Sequence, residues 1–186
     1  VEPLPTRLAR AAFRLDHGDA PGAAADLQAA IDDLPTPYAR AVAAAYAALP
    51  DGADETAVPT LPPPPAAPND AERYLVAFHL VRYTPQWQAA VSVLDGAVAP
   101  SLPLRELRLR TRFSAALEDP QPGLHPLLQQ LQDEAIRIEA VQGRRTALTA
   151  TVIGVTNTLL ERGEEALPAL REGVRLSPES HSLRIN

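Results

Sequence analysis

The sequence predicts an all-α chain of about nine helices, arranged as antiparallel hairpins that stack on one another. Three observations lead there. First, 46% of the 186 residues are hydrophobic but only 4% are aromatic. The apolar content is mostly alanine, leucine and valine, which suits helices packed at short distance better than a sheet. Second, apolar positions recur at helical spacing between the prolines, with almost no β-type alternation. Third, one short pattern repeats. It reads Ala23-x-x-x-Leu27-x-x-Ala30-Ile31-x-x-x-Pro35 and returns as Ala166-x-x-x-Leu170-x-x-Gly173-Val174-x-x-x-Pro178. It returns again as Ala90-x-x-x-Leu94-x-x-Ala97-Val98, with its proline late at Pro103. These spacings place the apolar residues on one helical face, and the small ones admit a neighbouring helix. The proline ends the turn that follows. A single amphipathic helix cannot bury its own stripe, so three copies imply three similar packing environments.

The elements follow in order. Residues 6–16 form a first helix with Leu8, Ala11, Ala12 and Leu15 inward. Gly18-Asp19 breaks it, and Asp19 is placed to cap the second helix, which ends at Pro35. Thr36-Pro37 starts the third, to about Leu49, since proline in the first turn loses no hydrogen bond. Thr84-Pro85 repeats the device before residues 86–98. Between them, residues 50–68 carry Pro59, Pro62, Pro63, Pro64, Pro65 and Pro68, too dense a run for a helix. Asn69 or Asp70 caps a fourth helix over residues 70–83. Residues 101–117, 124–141, 145–161 and 164–176 complete the set, punctuated by Gly123, Gly143 and Gly163. The organisation is therefore 1–49, a helical hairpin plus one helix; 50–69, a Pro-rich strap or linker; and 70–186, a C-terminal helical block. As a strap, Val58, Leu61 and the proline rings would cover Tyr38, Val42 and Tyr46 of the third helix.

The repeat starts, Ala23, Ala90 and Ala166, lie 67 and 76 residues apart, each gap close to two units of roughly 34 residues. The Ala-x3-Leu-x2-Ala-x4-Pro pattern resembles the second helix of a tetratricopeptide repeat. Gly154 and Ala11 stand where that family places a small residue in its first helix, and Gly18-Asp19 sits at its inter-helix turn. Phe78, Arg10 and Arg14 depart from the pattern, the Pro-rich segment replaces one second helix, and residues 101–142 hold two helices without the motif. The resemblance implies an α-solenoid that binds protein or peptide in a groove lined by first helices, here residues 6–16, 38–49, 70–83, 102–117 and 145–161.

A net charge of -6 and a pI near 5.2 argue against direct nucleic-acid binding. All 17 basic residues are arginine, and cysteine is absent, which excludes disulfide and thiolate chemistry. No stretch is long and apolar enough for membrane insertion. The chain is expected in the cytoplasm; the alternative is an exported form whose signal has been removed.

Charge supplies the main candidate site. Arg73, Arg82, Arg105, Arg108, Arg110 and Arg112 stand against only Asp95 and Glu106 in that stretch. Arg105, Arg108 and Arg112 share one face of the sixth helix. Such a face can hold carboxylates, a peptide C-terminus included, by bidentate hydrogen bonds. The plainer reading pairs these arginines with the acidic seventh helix along a solvated seam. Arg73 joins the candidate set by charge. Trp87 joins it as a possible aromatic anchor, although Tyr74, Phe78, Tyr83 and Trp87 read first as core. His17, His79, His125 and His181 are scattered, and Asp16-His17-Gly18-Asp19 reads as a solvated turn. Asp32-Asp33 opposes its helix dipole, and Pro59-x-x-Pro62 and Pro62-x-x-Pro65 are short, unflanked matches to groove ligands.

No phosphate loop, nucleophile elbow or metalloprotease motif occurs. The expectation is a non-catalytic scaffold for protein or peptide, without cofactor or metal, and with a homo-oligomer open to it. The alternatives are a sensor or assembly domain of a larger regulator and an all-helical enzyme.

Overall fold

A computed structural model describes residues 4–32, 36–50, 53, 60–82, 86–118 and 123–178, and only the backbone of residues 4, 16 and 30–32. Among them are nine helices and no strand. They are α1 (Leu4–Asp16), α2 (Ala20–Asp32), α3 (Pro37–Ala47), α4 (Asp70–Arg82), α5 (Trp87–Asp95), α6 (Leu102–Glu118), α7 (Leu124–Gln142), α8 (Ala147–Leu159) and α9 (Gly163–Leu176). The Pro35 stop, the Thr84-Pro85 start, Asp33, Val58 and the side chains of Ala30 and Asp32 lie outside the described residues.

Helix starts follow local chemistry. The Asp19 carboxylate accepts from Gly22 N at 2.9 Å, and the Thr36 hydroxyl accepts from Ala39 N at 3.2 Å with Pro37 in the first turn. At α4 the capping is reciprocal: Asn69 Oδ1 accepts from Glu72 N at 2.9 Å, and Glu72 Oε2 accepts from Asn69 N at 3.1 Å. Thr146 and Thr149 form the same box at α8. Gly18, at φ 76°, turns the chain from α1 to α2 in a conformation that strains any residue with a Cβ.

Two compact units divide the chain, Val1–Thr84 and Pro85–Asn186. In the first, α1 packs on α2, α2 on α3 and α3 on α4. Leu8, Ala11, Ala12, Leu15, Ala23 and Leu27 are buried, as their spacing predicts. Arg10 and Arg14, which break the apolar pattern of α1, both reach the buried Asp26 of α2. Arg10 Nε donates to its two oxygens at 2.9 and 2.8 Å, and Arg14 Nε lies 3.3 Å away. The hydrogen bond from Arg10 holds the Asp26 pKa below the usual carboxylate value, against the opposing effect of burial.

A boundary at 50–69 separates α3 from α4, whereas the compact units keep the two together. The reason is chemical. Tyr46 and His79, both buried, share a 2.7 Å hydrogen bond between the Tyr46 hydroxyl and His79 Nε2. Burial raises the Tyr38 pKa, and the charge of the Glu72 carboxylate of α4 adds to the shift. Helix α4 therefore covers part of the stripe of Tyr38, Val42 and Tyr46 that the Pro-rich segment alone was expected to cover. In that segment Ala53 is buried, Leu61, Pro62 and Pro65 are half-buried, and Pro63 and Pro64 are exposed.

In the second unit α5 packs on α6, α6 on α7, α7 on α8 and α8 on α9, and α6 also touches α8. Leu109, Phe113, Leu131, Ala135, Ile138 and Val152 centre its core. Gly154 lets α8 and α9 approach: a Cβ there would lie 2.6 Å from Leu170 Cδ2. Ala90 and Leu94 are fully buried in α5, but the rest of that motif copy is not helical. The helix stops at Asp95 before Gly96, and Val98 is fully exposed. Glycine is a poor helix former, and the chain must turn there to enter α6 at Leu102.

Candidate binding site

Three consecutive helices of the second unit, α5, α6 and α7, line a half-open cavity of about 340 Å³. Its apolar wall is Val91 from α5, Ala115 and Ala116 from α6, and Leu124 and Leu127 from α7. The two alanines are buried and the other three half-buried. The small alanine side chains fill little of the space between α6 and its neighbours, and the cavity opens beside them. Its polar edge is Gln88 and Asp95 from α5, Arg112 from α6 and Gln130 from α7. Residues 88, 91 and 95, and likewise 112, 115 and 116, follow helical spacing, so each helix presents one apolar and one polar step to the same space. Gly123, in the left-handed region at φ 90°, opens α7 at the cavity wall without a side-chain cap. The helix dipole there favours negative charge.

Arg112 Nη2 donates to Asp95 Oδ1 at 2.7 Å across the edge, with the two side chains 39% and 37% exposed. This single hydrogen bond leaves the other guanidinium donors and the second carboxylate oxygen open to a further partner. Such an exposed pair is worth little in stability and is easily rearranged.

The remaining arginines of the predicted face are engaged differently. Arg105 Nε donates to Glu134 Oε1 at 3.2 Å, Arg108 Nη2 lies 3.7 Å from the same oxygen, and Arg137 Nε donates to Glu134 Oε2 at 3.1 Å. Burial works to raise the Glu134 pKa, but hydrogen bonds from Arg105 and Arg137 outweigh it and hold the carboxyl below its usual value. The seam between α6 and α7 is thus an ion-pair cluster around one half-buried acid. Arg110 is exposed. Arg73 belongs to α4 of the first unit, half-buried. Trp87, in the first turn of α5, is half-buried, and its buried indole N–H has no acceptor among the described residues. The face read from sequence is therefore split: Arg105 and Arg108 join a structural cluster, and Arg112 alone lines the cavity.

Deeper in the second unit, Gln132 Nε2 donates to Asn157 Oδ1 at 2.9 Å between α7 and α8, both buried. Arg162 Nη1 closes that network by donating to Gln129 Oε1 at 3.0 Å. No group of three or more His, Cys, Asp or Glu side chains that could hold a metal occurs among the described residues, and no helix there is long and apolar enough to cross a membrane. Gln88, Asp95 and Gln130 were not legible as site residues, because each acquires its place only from the packing of α5 and α7 against α6. No family model, no curated protein and no solved structure matches this chain.

Proposed function

We propose that the chain is a non-catalytic scaffold of tetratricopeptide-like hairpins that holds a protein or peptide partner. One observation carries the reading. Hairpins α1–α2 and α8–α9 bury equivalent residues at equivalent positions: Ala11 with Ala23 and Leu27 in one, Gly154 with Ala166 and Leu170 in the other. Repeats of this kind bury their stripes only by stacking, and they leave extended surfaces for binding. The contact of α6 with α8, across the intervening α7, is what stacked hairpins require. On such a surface Arg112, its side chain 39% exposed and hydrogen-bonded to the similarly exposed Asp95, is the member of the Arg105, Arg108 and Arg112 face most open to a partner's carboxylate. At Arg105 and Arg108 a ligand would compete with Glu134.

The test is isolation of a partner from the source cell, followed by reconstitution of the purified pair. The reading expects a stoichiometric complex whose cross-links fall on the helices, and weaker binding by Arg112→Gln. A chain that forms no complex with any candidate partner, and shows no protection on mixing, would refute it. The cavity favours a second reading, a sensor domain of a larger regulator, in which a small ligand sets the state of the helices.

A further inference from the structure

We infer that the cavity between α5, α6 and α7 binds a free apolar α-amino acid, with its carboxylate on Arg112, its ammonium on Asp95 and its side chain against Val91, Leu124 and Leu127. This goes beyond the scaffold reading and does not rest on it: both place a carboxylate on Arg112, but only the free amino acid also needs Asp95 for its ammonium, and the analogue series below tells the two apart.

Three features select this ligand. The first is size. A cavity of about 340 Å³ falls at the small end of ligand sites, which run from about 300 to 1,000 Å³. It suits one side chain with its backbone atoms and not a helix or a long peptide. The second is the division of the wall. Ala115 and Ala116 are buried and Val91, Leu124 and Leu127 half-buried, whereas Gln88, Asp95 and Gln130 are exposed and Arg112 is half-buried, so an occupant meets apolar surface on its inner side and charge at the edge.

The third is the pairing of opposite charges at that edge. Arg112 and Asp95 stand side by side, joined by one 2.7 Å hydrogen bond. An apolar carboxylic acid would satisfy Arg112 but set a second negative charge beside Asp95. An apolar amine would satisfy Asp95 but set a second positive charge beside Arg112. A neutral peptide segment offers neither charge. An amino-acid zwitterion carries both, one tetrahedral carbon apart, and makes two charge-assisted hydrogen bonds without adding net charge. Gln88 and Gln130 supply neutral donors and acceptors beside it.

The test is titration of the full chain, followed by calorimetry and by amide shifts in NMR spectra. The probes are L-leucine and L-phenylalanine, with N-acetyl-L-leucine lacking the ammonium, L-leucinamide lacking the carboxylate, N-acetyl-L-leucinamide lacking both, and glycine lacking the side chain. The expected result is saturable one-to-one binding of L-leucine or L-phenylalanine, with shifts concentrated in α5, α6 and the start of α7. Each analogue should bind at least about tenfold more weakly, the loss of roughly 1.4 kcal/mol. Arg112→Gln should weaken L-leucine and erase its advantage over L-leucinamide. Asp95→Asn should erase its advantage over N-acetyl-L-leucine. Circular dichroism checks that both variants fold, and if either does not, the analogue series on the unaltered chain decides. No saturation by either amino acid up to about 10 mM would overturn the proposal, since a site that pairs both charges of its ligand should hold it with a dissociation constant below about 1 mM. So would N-acetyl-L-leucinamide binding as tightly as L-leucine, which marks a peptide site. Leucine binding that both folded variants leave unchanged would place the ligand elsewhere and overturn it too.

Discussion

His79 should make the first unit lose stability under mild acid. The residue is 3% exposed. Nδ1 lies 2.7 Å from the Leu75 carbonyl oxygen, and Nε2 lies 2.7 Å from the Tyr46 hydroxyl. A carbonyl can only accept, so Nδ1 carries the proton. In the neutral ring Nε2 then accepts from Tyr46. Both bonds are made without charge, and a second proton would have to enter a site shut off from water. Burial accordingly lowers the pKa from 6.5 to about 4, against the opposing effect of the Leu75 carbonyl. The unfolded chain takes up the proton first, so this stabilisation is complete above about pH 6.5 and is lost as pH falls towards about 4. The full difference is about 3 kcal/mol, and about 2 kcal/mol is already lost at pH 5. Urea denaturation near pH 7.5 and near pH 5, read by amide exchange in α3 and α4, measures it. His79→Gln keeps an acceptor for Tyr46 but cannot titrate, so it should flatten the dependence in this window. Asp26 and Glu134, whose lowered pKa values matter only at lower pH, do not confuse the comparison. An NMR titration of His79 in the native protein with a midpoint near 6.5, or equal acid loss in the His79→Gln variant, would refute the reasoning.

Gly154→Ala should destabilise the second unit by about 1–3 kcal/mol, because the new methyl meets Leu170 Cδ2 at 2.6 Å and its backbone nitrogen at 3.1 Å. Alanine's better helix propensity offsets up to about 1 kcal/mol of that, and a net gain in the denaturation midpoint would contradict the close approach. Asp26→Asn should cost about 1–2 kcal/mol, discounted because Arg10 is 40% exposed. It should also remove part of the stability lost as pH falls below the usual carboxylate range, which a pH series of thermal melts would read. Replacing residues 60–68 with a Gly/Ser sequence should lower the stability of the first unit, since Leu61, Pro62 and Pro65 are half-buried there. Rapid proteolysis of that stretch in the native protein would show that it holds nothing.

Helices were legible from sequence wherever the signal is local. Thr36 before Pro37, and Asn69 three residues before Glu72, satisfy orphan N–H groups within one turn, and such a bond needs no tertiary partner. The same locality explains the failure at α5, where the four apolar positions Ala90, Leu94, Ala97 and Val98 have helical spacing across Gly96, but Ala90 and Leu94 are fully buried, Ala97 is half-buried and Val98 is fully exposed. Arg105 and Arg108 stand between these cases: helical spacing placed them on one face and the acidic composition of α7 supplied their counter-charge, but that both would reach Glu134, already paired with Arg137 one turn along its own helix, depends on the register of two helices. His79 looked solitary because its partner, Tyr46, lies 33 residues away. The cavity was hidden for a further reason. Ala115 and Ala116 shape it by what they lack, and in a chain this rich in alanine two more carry no signal. Only the larger side chains around them, Val91, Leu124 and Leu127, turn missing volume into a space with walls, and only Arg112 and Asp95 give that space an electrical sign at each side. A site defined by an absence between helices becomes readable once the packing partners are known, which is why its ligand can be argued from chemistry when the sequence patterns alone named none.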